Sequence, residues 1–262
     1  MPSAPPTLLR TVQATRYVTP LREGGSMPGL VEADDDGLYV VKFRGAGQGL
    51  KALIAEVIVG ELARALALPV PEIVLVEVDP LLAAAEPDPE IQELVEASGG
   101  SNAGLDFLPG ALPFSPAAPA GVTPELAAAV VWLDALTANV DRTPRNPNML
   151  VWHGELWLID HGAALYRHHA ATWPDGAAQA RFPLIADHVL LPFAGSIAEA
   201  DERLAPMLDR ATLDRAVGGV PGDWLGEAPA LDRLIYVDYL LERLQAPRAF
   251  AAEAEEARRA AR

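Results

Sequence analysis

Two aspartates and two asparagines stand close together in the second half of the chain. Asp141, Asn146 and Asn148 share the run Val140-Asp141-Arg142-Thr143-Pro144-Arg145-Asn146-Pro147-Asn148, and Asp160 follows in Ile159-Asp160-His161-Gly162. A carboxylate in such a loop can orient a hydroxyl and accept its proton. A second carboxylate paired with an amide oxygen offers the oxygen ligands that a hard cation prefers, leaving positions for phosphate oxygens. The N-terminal third supplies the complement: Lys42 in Val40-Val41-Lys42-Phe43, downstream of the turn Gly24-Gly25-Ser26, and Glu56 a short way beyond. A glycine turn lets backbone amides approach phosphates, a strand lysine binds phosphate oxygens, and a helix glutamate can orient that lysine. The chemistry these residue types share is phosphoryl transfer.

Positioning such a set requires strands in the first part of the chain and helices in the second. Short β-forming pieces occur at 11–17, 29–32 and 38–43, with Asp34-Asp35-Asp36-Gly37 as a tight connection. Helical spacing over 52–66 carries Glu56 and Glu61 and stops at Pro69, and 73–78 is another apolar strand. The β-β-β-α-β order lacks the regular alternation of a doubly wound sheet. A helix over 88–97 is expected, with Asp88 as cap and Pro89 in its first turn, and a strand over 105–108 ending at Pro109-Gly110. Thr123-Pro124-Glu125 starts a helix running to about Asn139, apolar nearly all round and therefore buried. Hairpin strands at 149–152 and 155–159 flank His153-Gly154, so the loop presents Asp141, Asn146 and Asn148 while a strand end presents Asp160. The remainder reads as helical near 197–208, 212–217 and 230–244, and 253–262 as a solvated helix end. The expected organisation is a lead-in over 1–10, an N-lobe over 11–110 and a C-lobe over 111–262.

Composition narrows the partners. The chain has 262 residues, half of them apolar, with a formal net charge of −16 and no cysteine. A sizeable core can be buried, while disulfides, thiolate metal sites and thiol nucleophiles are excluded. Such acidity argues against coating nucleic acid or an anionic membrane, which needs clustered positive charge. No apolar run approaches the roughly 20 residues of a membrane span, and no basic-then-apolar pattern opens the chain, so a cytoplasmic location is expected. Among 20 basic residues only Lys42 and Lys51 are lysines. In so arginine-rich a chain, a lysine that persists marks a place where a compact point charge serves better than a planar fork.

With these motifs assembled, the chain resembles the HipA-like branch of the protein-kinase-like fold in a compact version. The likeness covers roughly residues 11–244 and is concentrated in Asp141–Asn148 and in Leu158-Ile159-Asp160-His161-Gly162. It implies an α+β bilobal fold, with a small β-rich N-lobe carrying one helix and a mainly helical C-lobe. It also implies an ATP- and Mg2+-dependent (or Mn2+-dependent) Ser/Thr protein kinase acting on a protein acceptor. On this resemblance Asp141 is the catalytic aspartate, Asp160 binds metal, Lys42 binds ATP with Glu56 as its partner, Gly24, Gly25 and Ser26 cover the phosphates, and Phe107 and Leu108 hold the adenine. The metal-side asparagine is open between Asn146, which has the usual spacing of five from Asp141, and Asn148, which directly precedes an apolar strand; Asn148 is preferred. The chain departs from the common kinase pattern in having Asn139-Val140 before Asp141 and Asp160-His161-Gly162 in place of Asp-Phe-Gly. It also looks too short for the additional N-terminal region of larger HipA toxins, so an antitoxin-like partner does not follow from the likeness.

Other readings share the residues. A small-molecule kinase for an antibiotic, sugar or lipid headgroup would use the same motifs, and a nucleotide-binding pseudokinase scaffold would keep them without turnover. Ser26 reads as a turn serine before it reads as a self-phosphorylation site. His161, His168 and His169 read as structural or surface residues, and Trp132, Trp152 and Trp157 as core. Arg145 could neutralise charge on the transferred group.

Overall fold

The computed structural model describes residues 9–21 and 27–261; the turn residues Gly24, Gly25 and Ser26 lie outside them. The strand-rich part opens with β1 (Thr11–Pro20), β2 (Gly29–Ala33) and β3 (Leu38–Lys42). Helix α1 (Gly49–Ala65), β4 (Ile73–Val78), α2 (Pro89–Glu96) and β5 (Gly100–Asp106) follow. The five strands close into a barrel in the order β1-β2-β3-β5-β4, all antiparallel except the β1–β4 pair. Alternation explains the interior. Residues on one face of each strand point inward, and Val12, Ala14, Val31, Ala33, Tyr39, Val41, Val74 and Val76 fill the barrel. Closure leaves no unpaired sheet edge.

After β5, the segment 107–111 leads to β6 (Leu112–Pro113), which pairs with β7 (Met149–Trp152); β7 in turn pairs with β8 (Glu155–Leu158). Between them lies α3 (Pro124–Thr137), capped by Thr123, whose side chain accepts the Leu126 N–H. Then come α4 (Ile197–Leu204), α5 (Arg210–Gly218), α6 (Pro229–Leu244) and α7 (Ala249–Ala260). No helix among the described residues is long and apolar enough to cross a membrane. Helices α1 and α3 are apolar around their whole circumference and belong to one continuous core with the C-terminal helices. The helix that follows the lysine strand is therefore packed between the barrel, where it meets Ile73 and Ala103, and the C-terminal helices.

Several expectations change. The strand expected at 105–108 lies at Gly100–Asp106 instead. Its polar start is stable because buried Asn102 donates to the Ser98 and Gly100 carbonyls and accepts the Arg44 N–H. Helix α3 ends at Thr137, and Ala138 turns into the left-handed region at φ 51°. The 253–262 run is not merely a solvated end. Phe250, Ala251 and Ala254 of α7 enter the core, and buried Glu255 accepts from the Ile197 N–H and from Arg258 and Arg259. Of the three tryptophans, Trp132 is fully buried, while Trp152 and Trp157 are half-buried and meet edge to face at 5.4 Å.

Candidate active site

Lys42 is the last residue of β3, and Glu56 sits in the middle of α1 with no exposed surface. The ammonium lies 2.6 Å from Glu56 Oε2 and 2.5 Å from Asp160 Oδ1, so one cation joins the barrel, α1 and the end of the β7–β8 hairpin. Glu56 Oε2 also accepts the His161 N–H at 2.8 Å. Burial alone would push Lys42 down, but the two carboxylates outweigh it and raise its pKa. Burial likewise works against the Asp160 carboxylate, yet Lys42 and the Gly162 N–H hold it below its ordinary value. Burial pushes the Glu56 carboxyl up, against the pull of the Lys42 ammonium. Asp160 keeps a third of its side chain exposed, and its Oδ2 carries no hydrogen bond among the described residues.

The second half of the site forms where α3 ends. Asp141 Oδ2 accepts from Asn146 Nδ2 at 2.7 Å and from Asn148 Nδ2 at 3.2 Å. Its own N–H donates to Asn139 Oδ1. The short turn between Trp152 and Glu155 sets the hairpin register, with Met149 opposite Leu158. That register puts Asn148 opposite Ile159, whose N–H donates to the Asn148 carbonyl at 3.0 Å, and so beside Asp160. Asn148 (φ 50°) and Asp160 (φ 55°) both take the left-handed conformation. Asn and Asp tolerate it better than most residues, which suits these types to the two positions. Asn148 is buried and Asn146 exposed. The Nδ2 contacts of Asn148 leave its Oδ1 without a partner among the described residues.

The sequence-derived residues thus fall into two groups, Lys42–Glu56–Asp160 and Asp141–Asn146–Asn148, joined by the Asn148–Ile159 backbone contact. Phe107 and Leu108 lie apart from both, in the segment connecting β5 to β6. The Phe107 N–H donates to the Leu38 carbonyl there, and the Trp152 indole holds the Pro109 carbonyl at 3.0 Å. Arg145 is exposed on the Asp141 loop. His161 and His168 are fully buried and shifted down to about 3, by burial first and then by neighbouring cations, or in the case of His168 by His169 and Lys51; His169 is exposed. Among the described residues no three His, Asp or Glu side chains gather to hold a metal by themselves.

Sequence reasoning missed the residues beneath this surface. Asp134 of α3, fully buried, accepts from Arg142 Nε at 2.5 Å, His188 Nε2 at 2.9 Å and Asn139 Nδ2 at 3.0 Å. Burial would raise its pKa, but Arg142 and His188 hold it far below the usual carboxylate range. One signal was available: an aspartate in the middle of the apolar run Ala127–Leu136 cannot be buried there without a cationic partner.

A small strand-rich part carrying a lysine–glutamate pair, set over a helical part with an aspartate loop and a hairpin-end aspartate, is the protein-kinase-like architecture. Solved structures bear this out at the level of the fold. The Helicobacter pylori proinflammatory kinase CtkA superposes with a TM-score of 0.56 at 14% identity, covering 88% of this chain and 94% of that one. The Golgi casein kinase solved with Mn and ADP bound gives 0.52 at 12% identity, covering 95% and 73%. A search of curated protein sequences found no match. Residues 15–248 match the HipA-like kinase family, and the chain belongs to it. It is a kinase.

Proposed function

We propose that the chain is an ATP- and Mg2+-dependent Ser/Thr protein kinase, with ATP lying between the barrel and the helical part. The observation that carries this reading is the Lys42 ammonium shared between buried Glu56 and half-exposed Asp160. A cation so held is oriented, charged and next to a carboxylate with a free oxygen, as phosphate binding beside a metal requires. The β3–β5 register supports the orientation of the nucleotide. Lys42 pairs with Ala103, and Phe107 lies four residues further along, about 13 Å at the usual strand rise. That length leaves room for adenine near Phe107 and Leu108 and phosphates near Lys42. The boundary between lobes would then fall in the 107–111 segment.

The unpartnered atoms are of a type that suits a hard divalent ion: the oxygens Asp160 Oδ2 and Asn148 Oδ1 would hold Mg2+, with Asn148 preferred over exposed Asn146. Bound there, the ion would screen the charge of the nucleotide phosphates. Lys42 would neutralise phosphate oxygens, and Asp141, held by Asn146 and Asn148, would align the acceptor hydroxyl and take its proton. Most of the rate enhancement would come from positioning and electrostatics. In a protein of net charge −16, Lys42 and the cation supply the local positive field that a polyanion needs.

Transfer from γ-labelled ATP, to the chain itself and to a mixture of protein acceptors, tests the reading. Label on serine or threonine that requires Mg2+ or Mn2+ and vanishes in both Asp141→Ala and Asp160→Asn is expected. Equal labelling in wild type and Asp141→Ala would sink it, and ATP consumption that labels no protein would redirect it to a small-molecule acceptor.

A further inference from the structure

Arg142, which directly follows Asp141, is 1% exposed, and its guanidinium bonds to α3 and to the chain on either side of the β7–β8 hairpin. Nε donates to Asp134; one terminal nitrogen donates to the Asn148 carbonyl and, at 3.4 Å, to the Ile159 carbonyl. The other lies 3.3 Å from His161 Nδ1, which must be the acceptor because a guanidinium only donates. The two carbonyls belong to Asn148 itself and to the residue before Asp160. Asp134 fixes this fork from the far side. It also holds Asn139, which accepts the Asp141 N–H, and His188, whose Nδ1 in turn accepts the Leu190 N–H. The Arg142 carbonyl accepts the Val189 N–H, so the chain on both sides of the site is tied to one buried ion pair.

We infer that Arg142, clamped by Asp134, is a positioning residue that sets the separation of the Asn148 and Asp160 side chains, and with it the affinity for the divalent cation. This rests on the reading of those two residues as cation ligands. Among the described residues no other side chain hydrogen-bonds to the carbonyls of both Asn148 and Ile159, the residue before Asp160. A planar fork can contact two carbonyls, a carboxylate and an imidazole from one point, and a lysine cannot. The pair touches neither Lys42 nor the 107–111 segment, so nucleotide binding without metal is independent of it.

The test uses the full chain as wild type, Arg142→Lys and Asp134→Asn, with folding checked by circular dichroism. ADP binding is measured first without metal, then as a function of Mg2+, and kinase rates are titrated with Mg2+ at saturating ATP. Loss of a group that orients a metal ligand typically weakens metal affinity by about 10- to 100-fold. The half-saturating Mg2+ concentration should rise by that factor in either folded variant, with kcat reduced and metal-free ADP affinity within about threefold of wild type. Unchanged Mg2+ half-saturation in a folded variant, or a matching loss of metal-free ADP binding, overturns the inference. If one variant does not fold, the other decides. A wild-type protein that ignores Mg2+ altogether would instead defeat the phosphotransferase reading, a result seen before any variant is made.

Discussion

Two ion networks of similar composition lie a few residues apart, and they are built for different tasks. In Lys42–Glu56–Asp160 the lysine and one aspartate oxygen reach the space between the two parts, with side chains 11% and 34% exposed. In Asp134–Arg142 both side chains have no exposure, and Asp134 is saturated by three donors. A buried pair tolerates its desolvation only when hydrogen bonds occupy its remaining donors and acceptors. The triad, exposed chiefly at Asp160, leaves an oxygen of that residue unused and can exchange partners when a phosphate arrives. One network is available to a ligand, and the other holds the backbone on which the ligand's contacts depend.

Substitutions can break this contrast. The largest effect is expected at the exposed side of the site: Asp141→Ala should lower kcat by about 10²- to 10⁴-fold, the usual worth of a positioned base, with the unfolding midpoint nearly unchanged because Asp141 is half-exposed. Steady-state kinetics beside urea denaturation would show it, and a comparable loss of stability would contradict the division of labour. Asp134→Ala should differ in adding a large loss of stability. Leaving Arg142 buried and unpaired costs about 3–5 kcal/mol of stability, read from denaturant curves; a loss below about 1 kcal/mol would place Asp134 outside the structural network.

A smaller effect is expected with pH. Burial holds His168 at about 3, against 6.5 for a free imidazole. Its contribution to stability is therefore complete above about pH 6.5 and is lost progressively as pH falls toward 3, where the unfolded chain binds the proton and the native one does not. His168→Gln should flatten the fall in stability between pH 6.5 and 4 by up to about 1 kcal/mol per pH unit; an identical slope in wild type and variant would refute it. The smallest effect belongs to an exposed pair. Arg210 and Asp238, more than half exposed and 3.2 Å apart, should yield less than about 0.5 kcal/mol on Arg210→Ala. A larger change would mean that exposure is the wrong criterion for separating these networks.

Much of this was legible in the chain. Short apolar runs rich in β-forming residues located β2, β3 and β4, one face of each of which fills the barrel. All-round apolarity marked α3 as buried, helical spacing located α1, and Thr123-Pro124 and Asp88-Pro89 marked helix starts through local capping chemistry. The β7–β8 hairpin and the residues Lys42, Glu56, Asp141, Asn148 and Asp160 were recognisable by type and spacing. What was not legible depends on distant partners. The start of β5 hides in Ser98-Gly99-Gly100-Ser101-Asn102, which is stable as a strand edge only because Asn102 satisfies carbonyls from its own turn. Helix α7 reads as a charged tail until Glu255 meets the Ile197 N–H, 58 residues away.

By itself the sequence determined which groups could act: two carboxylates with an asparagine on one side, a lone strand lysine with a helix glutamate on the other. Chemistry of that kind resides in side-chain types and local turns, which short stretches of chain specify. Only the tertiary structure decided that Lys42 sits between Glu56 and Asp160, 118 residues away from the latter, and that Arg142 and Asp134 tie the loop together from below. Burial and charge pairing depend on what the rest of the chain brings to a point in space, and no local pattern records it.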